Sequence, residues 1–317
     1  MKNINIEEYL RDWIETQKHY LKASTLDDYD KIVRNLLIPA FGSLMLHEWK
    51  RKDIKNWLGL MTCGNKRMRN IQSVIRRALT DAIDEELIDY NFMNDFCYQK
   101  KDKPKEFDDI DPFTPDEQLS ILEACPPELA PQFQFLLWTG LRTSEFIALD
   151  WAQIDFINQQ VRVSKAITQA SKGIAEPPKT KAGYRRVKLL QPAIDALNTQ
   201  KNFSPKKGKV VFLNPETKER WTGDSPIRNH WKKILKKASV RYRRPYQTRH
   251  TYASMMLSAG ENPMWVAQQM GHSNWTMIAK IYGRWMPSAN TNAGQKAEKI
   301  FANRTYSSSQ ISNHQFI

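Results

Sequence analysis

Four segments of the sequence concentrate arginine, lysine, histidine and tyrosine, side chains whose chemistry suits a phosphate group. They are, in chain order, TGLRTSEFIAL at 139–149, PKTKAGYRRV at 178–187, YQTRHTYASMMLSAG at 246–260 and MGHSNWTMIAKIYGRW at 270–285. Breakage of a phosphodiester puts extra negative charge on its non-bridging oxygens, so cationic donors must be in place beforehand. Arginine serves well because its planar fork binds two phosphate oxygens and stays protonated. A tyrosine hydroxyl attacks poorly at neutral pH and needs such cations and a nearby base.

The charge balance of the chain indicates a polyanionic partner. Its 317 residues include 48 lysines and arginines against 34 acids, which gives a formal net charge of +14 and a pI near 9.6. Nucleic acid is the first candidate partner and an acidic membrane surface the second. Membrane association is disfavoured because no apolar run approaches the roughly 20 residues that span a bilayer. The N-terminus, MKNINIEEYLRDW, has neither an apolar signal core nor an arginine-rich transit pattern.

The cysteines exclude two common kinds of structural cross-link. Cys63, Cys97 and Cys125 form no CxxC pair, which argues against a zinc site and against a disulfide framework. A reducing, cytosolic setting is therefore expected.

The chain divides where a charged stretch with three prolines, KKDKPKEFDDIDPFTP, lacks periodic apolar residues. We predict a helical first domain over residues 1–101, a linker over 102–112, a second domain over 113–303 and a loose polar tail over 304–317.

Helical periodicity dominates the first domain. One stripe includes Tyr9 and Trp13, a second follows Ser24 and Thr25 as candidate caps, and the clearest runs from Ile71 to Ile83. The far side of this last helix is basic, with few acids before Asp81; its residues are Lys66, Arg67, Arg69, Arg76 and Arg77. A solvated helix face is the plain interpretation. Such a face can also neutralise DNA phosphates, and we favour DNA contact.

The second domain combines helices with short strands. Helices are predicted over Asp116–Ala124 and over Leu129–Leu149, the latter interrupted at Thr139-Gly140. Alternating or short apolar runs predict a small antiparallel sheet; they lie at Val161–Ile167, Arg185–Leu190 and Val210–Leu213. Helices resume from Pro226 with a second basic concentration that includes Arg243 and Arg244. The predicted fold class is mainly α with a small antiparallel β-sheet in the second domain.

The four segments resemble, in order and spacing, the signature boxes of the tyrosine recombinase, or phage integrase, family. The last box ends in a tyrosine ten residues after a Gly-His pair. The resemblance covers the whole second domain, and the first is similar to the family's SAM-like core-binding domain. It implies a lambda-integrase-like catalytic core, related in fold to type IB topoisomerases, and a two-domain C-shaped clamp around DNA.

The resemblance also implies roles for individual residues. The implied catalytic residues are Arg142 and Arg249 as the phosphate-binding pair, Lys181 as the acid for the leaving 5′ oxygen, His272 as a phosphate donor or base, and Tyr282 as the nucleophile. Glu145 matches an acidic position that steadies the site. Lys179, two residues from Lys181, remains an alternative acid and otherwise a candidate DNA-backbone contact.

Each of these residues also has an ordinary structural interpretation. Arg142 could simply pair with Glu145, and Arg249 could have an internal carboxylate partner. Tyr282 lies on an apolar helix face with Trp275 and Ile278, a pattern typical of a core aromatic. A lone histidine such as that at 272 is more often structural. Only the family pattern favours catalysis at these positions.

Two features depart from the family pattern. The box usually reads His-x-x-Arg, and here the first position is Tyr246, which can donate a hydrogen bond but brings no positive charge. We keep Tyr246 as a supporting residue and expect slower cleavage; His250 is interpreted as structural. The chain also begins directly at the helical region, so we expect an arm-site DNA-binding domain to be absent or encoded elsewhere.

The function implied is site-specific DNA recombination through a 3′-phosphotyrosyl link and a Holliday junction. The link conserves the bond energy, so no cofactor, ATP or metal is expected. The implied partners are double-stranded DNA attachment sites and further copies of the chain in a homotetramer on synapsed DNA. A host DNA-bending protein or an excisionase is a further candidate. The expected location is cytoplasmic, at the nucleoid, with no membrane contact.

Two other hypotheses stay open. A metal-dependent nuclease or transposase could use Asp108, Asp109 and Asp111, although these residues lie in the charged linker without a further acid at a recognisable place. A catalytically weak or silent DNA-binding descendant is suggested by Tyr246 and by the missing arm domain.

Overall fold

The computed structural model describes residues 3–101, 110–178, 180–204 and 208–286, together with residues 295 and 298. In the first part of the chain the described elements are helices: α1 (Ile6–Gln17), α2 (Ala23–Ile32), α3 (Ile38–Phe41), α4 (Arg51–Leu60) and α5 (Asn65–Asp84). A π-helical turn, Val33–Leu37, joins α2 to α3, and a short 3₁₀ turn, Leu46–Glu48, precedes α4.

Helix α5 organises the first core. Its apolar stripe is fully buried from Ile71 to Ala82, which confirms the predicted amphipathic helix. The Tyr9 hydroxyl donates a 2.5 Å hydrogen bond to the Ala78 carbonyl and so fixes α1 across it. The predicted caps of α2 are wrong, because the helix begins at Ala23 with Lys22 as its N-cap. Ser24 instead lies within the first turn, where no side-chain cap hydrogen bond forms.

The second part of the chain holds eight further helices among the described residues. They are α6 (Pro115–Ala124), α7 (Ala130–Thr139), α8 (Thr143–Ile147), α9 (Gln191–Gln200), α10 (Asp224–Lys237), α11 (Gln247–Ser258), α12 (Pro263–Met270) and α13 (Thr276–Tyr282). The predicted break at Thr139-Gly140 is confirmed, since it separates α7 from α8. Helix α9 is not among the helices predicted above.

The sheet is small and antiparallel, as predicted, but its strands differ from those expected. It has the order β1 (Ile154–Asp155), β2 (Gln160–Val163) and β3 (Arg185–Lys188). The run Val210–Leu213 makes only isolated bridges at its two ends. Val211 and Phe212 are consecutive and both buried, so side chains on both faces of the run lie in the core and buried residues do not alternate with exposed ones.

Buried hydrophobic residues form three clusters. One lies within residues 6–93, a second within 113–235, and a third joins α11, α12 and α13. The predicted domain limits stay predictions, because residues 102–109 and 304–317 lie outside the described residues. No helix among the described residues is long and apolar enough to cross a membrane.

Candidate active site

Arg142 lies directly after a sharp backbone turn at the end of α7. Gly140 there has φ +61°, the left-handed conformation that favours glycine. A Cβ at this position would lie 2.4 Å from the Tyr252 ring. The chain then turns into α8 with Arg142 as its N-cap. This turn points the Gly140 carbonyl and the Arg142 side chain towards the same region.

Glu145 is the buried acid of the site. Its carboxylate accepts hydrogen bonds from the Arg142 backbone N–H at 2.9 Å, from Arg142 Nη1 at 2.7 Å, and from both terminal nitrogens of Arg185 at 3.0 and 2.9 Å. Burial by itself would raise the pKa of Glu145, but Arg185 and Arg142 lower that pKa to about 2. The expected Arg142–Glu145 pair therefore forms. Because the single carboxylate of Glu145 pairs with two guanidinium groups, the cluster of Arg142, Glu145 and Arg185 keeps a net positive charge.

Arg185 belongs to this cluster, although it is not among the residues predicted for the site. It opens β3, and its side chain is 6% exposed. Besides Glu145 it donates to the Gln269 carbonyl at 2.6 Å. The signal was available in strand alternation, since Val187 and Leu189 are buried on the same face while Arg186 points outward.

Arg249 is a buried cation with no acidic partner among the described residues. It is 1% exposed and donates to the carbonyls of Gly140 at 2.5 Å and Met270 at 2.6 Å. Across the described part of the chain, no carboxylate lies within 4.0 Å of its guanidinium. The alternative of an internal carboxylate partner therefore finds no support among the described residues. Burial, and then Arg142, lower the pKa of Arg249 to about 10, so it remains protonated at neutral pH.

His272 contacts Arg249 at the end of α12. Gly271 ends that helix with φ +67°, and its carbonyl accepts a 3.3 Å hydrogen bond from Arg142. His272 Nε2 lies 3.2 Å from Arg249 Nη2. A guanidinium only donates, so this nitrogen must accept and the ring proton lies on Nδ1. Burial and the charge of Arg249 lower the pKa of His272 to about 4, and the imidazole is neutral at pH 7.

Lys181 lies at the edge of the cluster. It opens a 3₁₀ turn, Lys181–Gly183, and the Ala182 carbonyl would lie 3.0 Å from a Cβ placed on Gly271. The Lys181 side chain is exposed and makes no hydrogen bond or ion pair with any described residue. Lys179 lies outside the described residues, so the choice between the two lysines stays open.

Tyr282 is buried, and its hydroxyl contacts His250. It ends α13, is 2% exposed, and its hydroxyl lies 2.6 Å from His250 Nδ1. Burial raises the pKa of the phenol well above its ordinary value. His250, interpreted above as structural, therefore contacts the candidate nucleophile. The sequence feature that could have indicated this role is the position of His250, next to Arg249 and one helical turn after Tyr246.

Tyr246 is exposed at the start of α11. Its ring packs edge-on against the His250 ring, with 5.2 Å between centroids and an interplanar angle of 73°. Tyr246 also lines a cavity together with Arg142 and Arg244. Hydrogen bonds therefore link residues at the start of α8, in β3, in α11, at the end of α12 and in α13.

Some of the predicted DNA contacts have exposed side chains, and others form hydrogen bonds or ion pairs within the protein. Lys66, Arg69 and Arg244 are exposed, whereas Arg67 is half-buried. The prediction for Arg76 is not supported, because its guanidinium donates to the carbonyls of Met93 and Phe96 at 3.2 and 2.8 Å.

Two further predicted contacts form ion pairs within the protein. Arg77 pairs with Asp81, and Arg243, whose side chain is 9% exposed, pairs with Asp111 and Glu117. The prediction for Arg243 is therefore also not supported. Helical spacing indicates the Arg77–Asp81 pair, which lies within α5, but not the partners of Arg243, which lie more than a hundred residues earlier in the chain.

Of the three carboxylates in the metal hypothesis, the structure describes only Asp111. Asp111 pairs with Arg241 and Arg243, while Asp108 and Asp109 lie outside the described residues. Within the described ranges, no three histidine, cysteine or acidic side chains are grouped so as to hold a metal ion.

The two site histidines predict a pH dependence of stability. The pKa of His250 and of His272 is lowered from 6.5 to about 4 in the folded protein, mainly by burial. Between these values the unfolded chain binds more protons, so the free energy of unfolding falls as pH falls from 6.5. Thermal denaturation between pH 4.5 and 6.5 measures this, because the ordinary pKa of the Glu145 carboxyl is 4.5 and its contribution is lost below that value. The His272→Asn variant should show a shallower slope; an unchanged slope would contradict the assignment.

The chain belongs to the phage integrase family. The model of that family matches residues 112–288, more than half of the chain, and the phage integrase N-terminal SAM-like domain matches residues 5–60. The prophage integrase IntR of Escherichia coli (strain K12) is 32% identical over 202 residues, covering 57% of this chain and 49% of IntR.

Two further relatives agree with this membership. The Escherichia coli protein IntQ, which carries the word defective in its name, is 35% identical over 210 residues, covering 58% of this chain and 52% of IntQ. A XerC-like tyrosine recombinase of Caldanaerobacter subterraneus is 31% identical over 215 residues, covering 61% of this chain and 55% of the relative. The chain thus spans about half the length of the curated relatives it matches.

The solved structures share the fold. The Tn1549 transposon integrase in complex with a circular intermediate DNA matches with a TM-score of 0.73 at 21% identity, over 94% of this chain and 99% of that one. A lambda integrase dimer bound to a COC′ core site matches with a TM-score of 0.66 at 16% identity, over 88% and 77%. The predicted fold class, mainly helical with a small antiparallel sheet, is confirmed.

Proposed function

We propose that this chain is a site-specific DNA recombinase that cleaves and rejoins strands through a covalent link between Tyr282 and a 3′-phosphate. The observation that carries the proposal is the buried guanidinium of Arg249. It has no carboxylate partner within the described residues, and it lies between His272 and the His250–Tyr282 pair. A buried cation without a counter-ion is costly, and a bound phosphate would supply the missing anion.

The proposed chemistry assigns one task to each group. Arg142 and Arg249 bind the non-bridging oxygens of the scissile phosphate and stabilise the charge that develops there. Glu145 keeps Arg142 in place without neutralising the cluster, because it also pairs with Arg185. His272 contributes its Nδ1–H as a further donor. Lys181, or Lys179 in its place, protonates the leaving 5′ oxygen.

The partners are proposed on the same basis. Relatives of the same fold were solved as a lambda integrase tetramer bound to a Holliday junction and as Tn1549 integrase with circular intermediate DNA. We propose double-stranded attachment-site DNA and a homotetramer for this chain, with the two domains forming a clamp. Exposed Lys66, Arg69 and Arg244 are the phosphate contacts best supported by their positions. Such an enzyme works where chromosomal DNA is, so its proposed location is the cytoplasm, at the nucleoid.

A nicked suicide substrate tests the proposal. The wild-type chain should form an adduct with DNA that resists denaturing electrophoresis, and the adduct should carry the label of the 3′-phosphate strand. It should form equally in EDTA and without ATP, because the tyrosine link conserves the bond energy. DNA binding without any adduct would instead indicate a silent DNA-binding descendant. An adduct that EDTA abolishes would contradict the metal-free mechanism.

A further inference from the structure

The hydroxyl of Tyr282 has one hydrogen-bond partner in the part of the chain that the structure describes, and that partner is His250. Tyr282 Oη and His250 Nδ1 lie 2.6 Å apart. The imidazole is held between two phenol rings, that of Tyr282 at 5.7 Å and that of Tyr246 at 5.2 Å between centroids. His250 is therefore a fixed contact of the reacting oxygen.

The protonation states of the pair allow the phenol to donate its proton to the imidazole. Burial and then the charge of Arg249 lower the pKa of His250 to about 4, so the imidazole is neutral at pH 7. Burial raises the pKa of Tyr282, so the phenol keeps its proton. Tyr282 Oη has no other acceptor among the described residues, and the tautomer with its ring proton on Nε2 lets the phenol O–H donate to the Nδ1 lone pair of His250.

The other groups of the site are less well placed to accept this proton. His272 Nε2 already accepts from Arg249 Nη2 at 3.2 Å. The Lys181 and Tyr246 side chains are exposed, and neither makes a hydrogen bond with Tyr282. Tyr246 and His250 are four residues apart on α11, so they lie on the same helix side.

On the basis of the proposed recombinase function, we infer that His250 is the proton acceptor for the Tyr282 nucleophile and that Tyr246 positions the His250 ring. In the forward step a bond forms between Tyr282 Oη and the phosphorus, and the bond from phosphorus to the 5′ oxygen breaks. The phenol proton moves to His250 Nδ1, and the 5′ oxygen takes a proton from the general acid. Religation reverses both transfers.

Two substitutions separate proton transfer from positioning. In His250→Asn the amide oxygen can still accept a hydrogen bond from Tyr282 but cannot take its proton, whereas His250→Ala provides neither. If His250 is the base, both variants should lose about 10²- to 10⁴-fold in single-turnover cleavage rate. If His250→Asn cleaves at the wild-type rate while His250→Ala does not, the residue only positions Tyr282 and the inference is overturned.

The pH profile and the leaving group give independent readouts. The His250→Asn rate should rise about tenfold per pH unit between pH 6 and 9, because hydroxide must replace the base, while the wild-type rate stays nearly flat. A substrate with sulfur in place of the 5′ bridging oxygen needs no proton on its leaving group. It should not restore the His250→Asn rate; restoration would place His250 on the acid side and overturn the inference.

The controls distinguish this inference from the function on which it rests. His230→Asn changes a half-buried histidine that contacts Trp221 away from the site, and it should cleave normally. Each cleavage rate is divided by the fraction of protein that binds DNA. Added imidazole should partly restore the cleavage rate of His250→Ala, because only folded molecules can use it as a base. If the wild-type chain forms no adduct, the proposed function fails. If it does and His250→Asn matches it, only the role of His250 fails.

Discussion

The Tyr282→Phe variant is expected to form no covalent adduct with a suicide DNA substrate while binding that DNA about as well as the wild type. The substitution removes the single oxygen that would form the bond to phosphorus, so the loss should be complete and not graded. The ring remains and keeps its buried position against Ile278 and Trp285. The fold should lose only one hydrogen bond, to His250, which corresponds to about 1 kcal/mol of stability.

A matched control removes a tyrosine hydroxyl elsewhere. Tyr90 is 70% exposed in the first domain, and Tyr90→Phe should form the adduct at the wild-type rate. Adduct yield on denaturing gels and binding by gel shift are the two measurements. Equal adduct yields from the wild type and Tyr282→Phe would show that another residue is the nucleophile.

The second large effect is expected for Glu145→Gln, in both stability and cleavage. Glu145 is the one carboxylate paired with Arg142 and Arg185 in the described structure, and it is 3% exposed. Its neutralisation leaves two guanidinium groups, with Arg249 nearby, facing one another without an anion. Removing one partner from a buried pair costs about 3–5 kcal/mol. Thermal and denaturant unfolding measure that loss directly.

The cleavage rate of Glu145→Gln should also fall, because Arg142 loses the carboxylate that positions its side chain. A misplaced phosphate donor costs about 10²- to 10³-fold in rate, and DNA should partly restore stability because its phosphate replaces the missing negative charge. Asp150→Asn is the matched control, since Asp150 also pairs with two cations, Lys165 and Arg220, but lies outside the site. It should lower stability without lowering the scaled cleavage rate. Similar cleavage rates in the two variants would mean that Glu145 acts only through stability.

Much of the architecture could be read from periodicity. The stripe of α5 and the break after Thr139 are both found where predicted. The α9 helix and the true edge strand β1 were missed. Strand β1 has only two residues, Ile154–Asp155, too few for any alternation to be recognised. The run at Val210–Leu213 misled for the opposite reason, since its consecutive buried residues imitate a short strand.

The basic residues show a different limit. Lys66 and Arg76 read alike as cations on one helix face, yet Arg76 is engaged by two carbonyls from the segment after α5. Arg243 is likewise held by acids more than a hundred residues earlier. Helical spacing determines on which side of a helix a side chain lies, but it does not determine which residues from other parts of the chain contact that side chain.

What the sequence by itself determined is the family, the order of the four boxes, and Tyr282 as the candidate nucleophile. These rest on local residue order, which the chain carries whatever its fold. The tertiary structure alone decided that Arg185 shares Glu145 with Arg142 and that His250 contacts the Tyr282 hydroxyl. It also decided that Arg249 has carbonyls and, within the described residues, no acid as partners. Each of these contacts joins elements that are distant in sequence. Only the packing of α8, β3 and α11 to α13 on shared cores sets such distances.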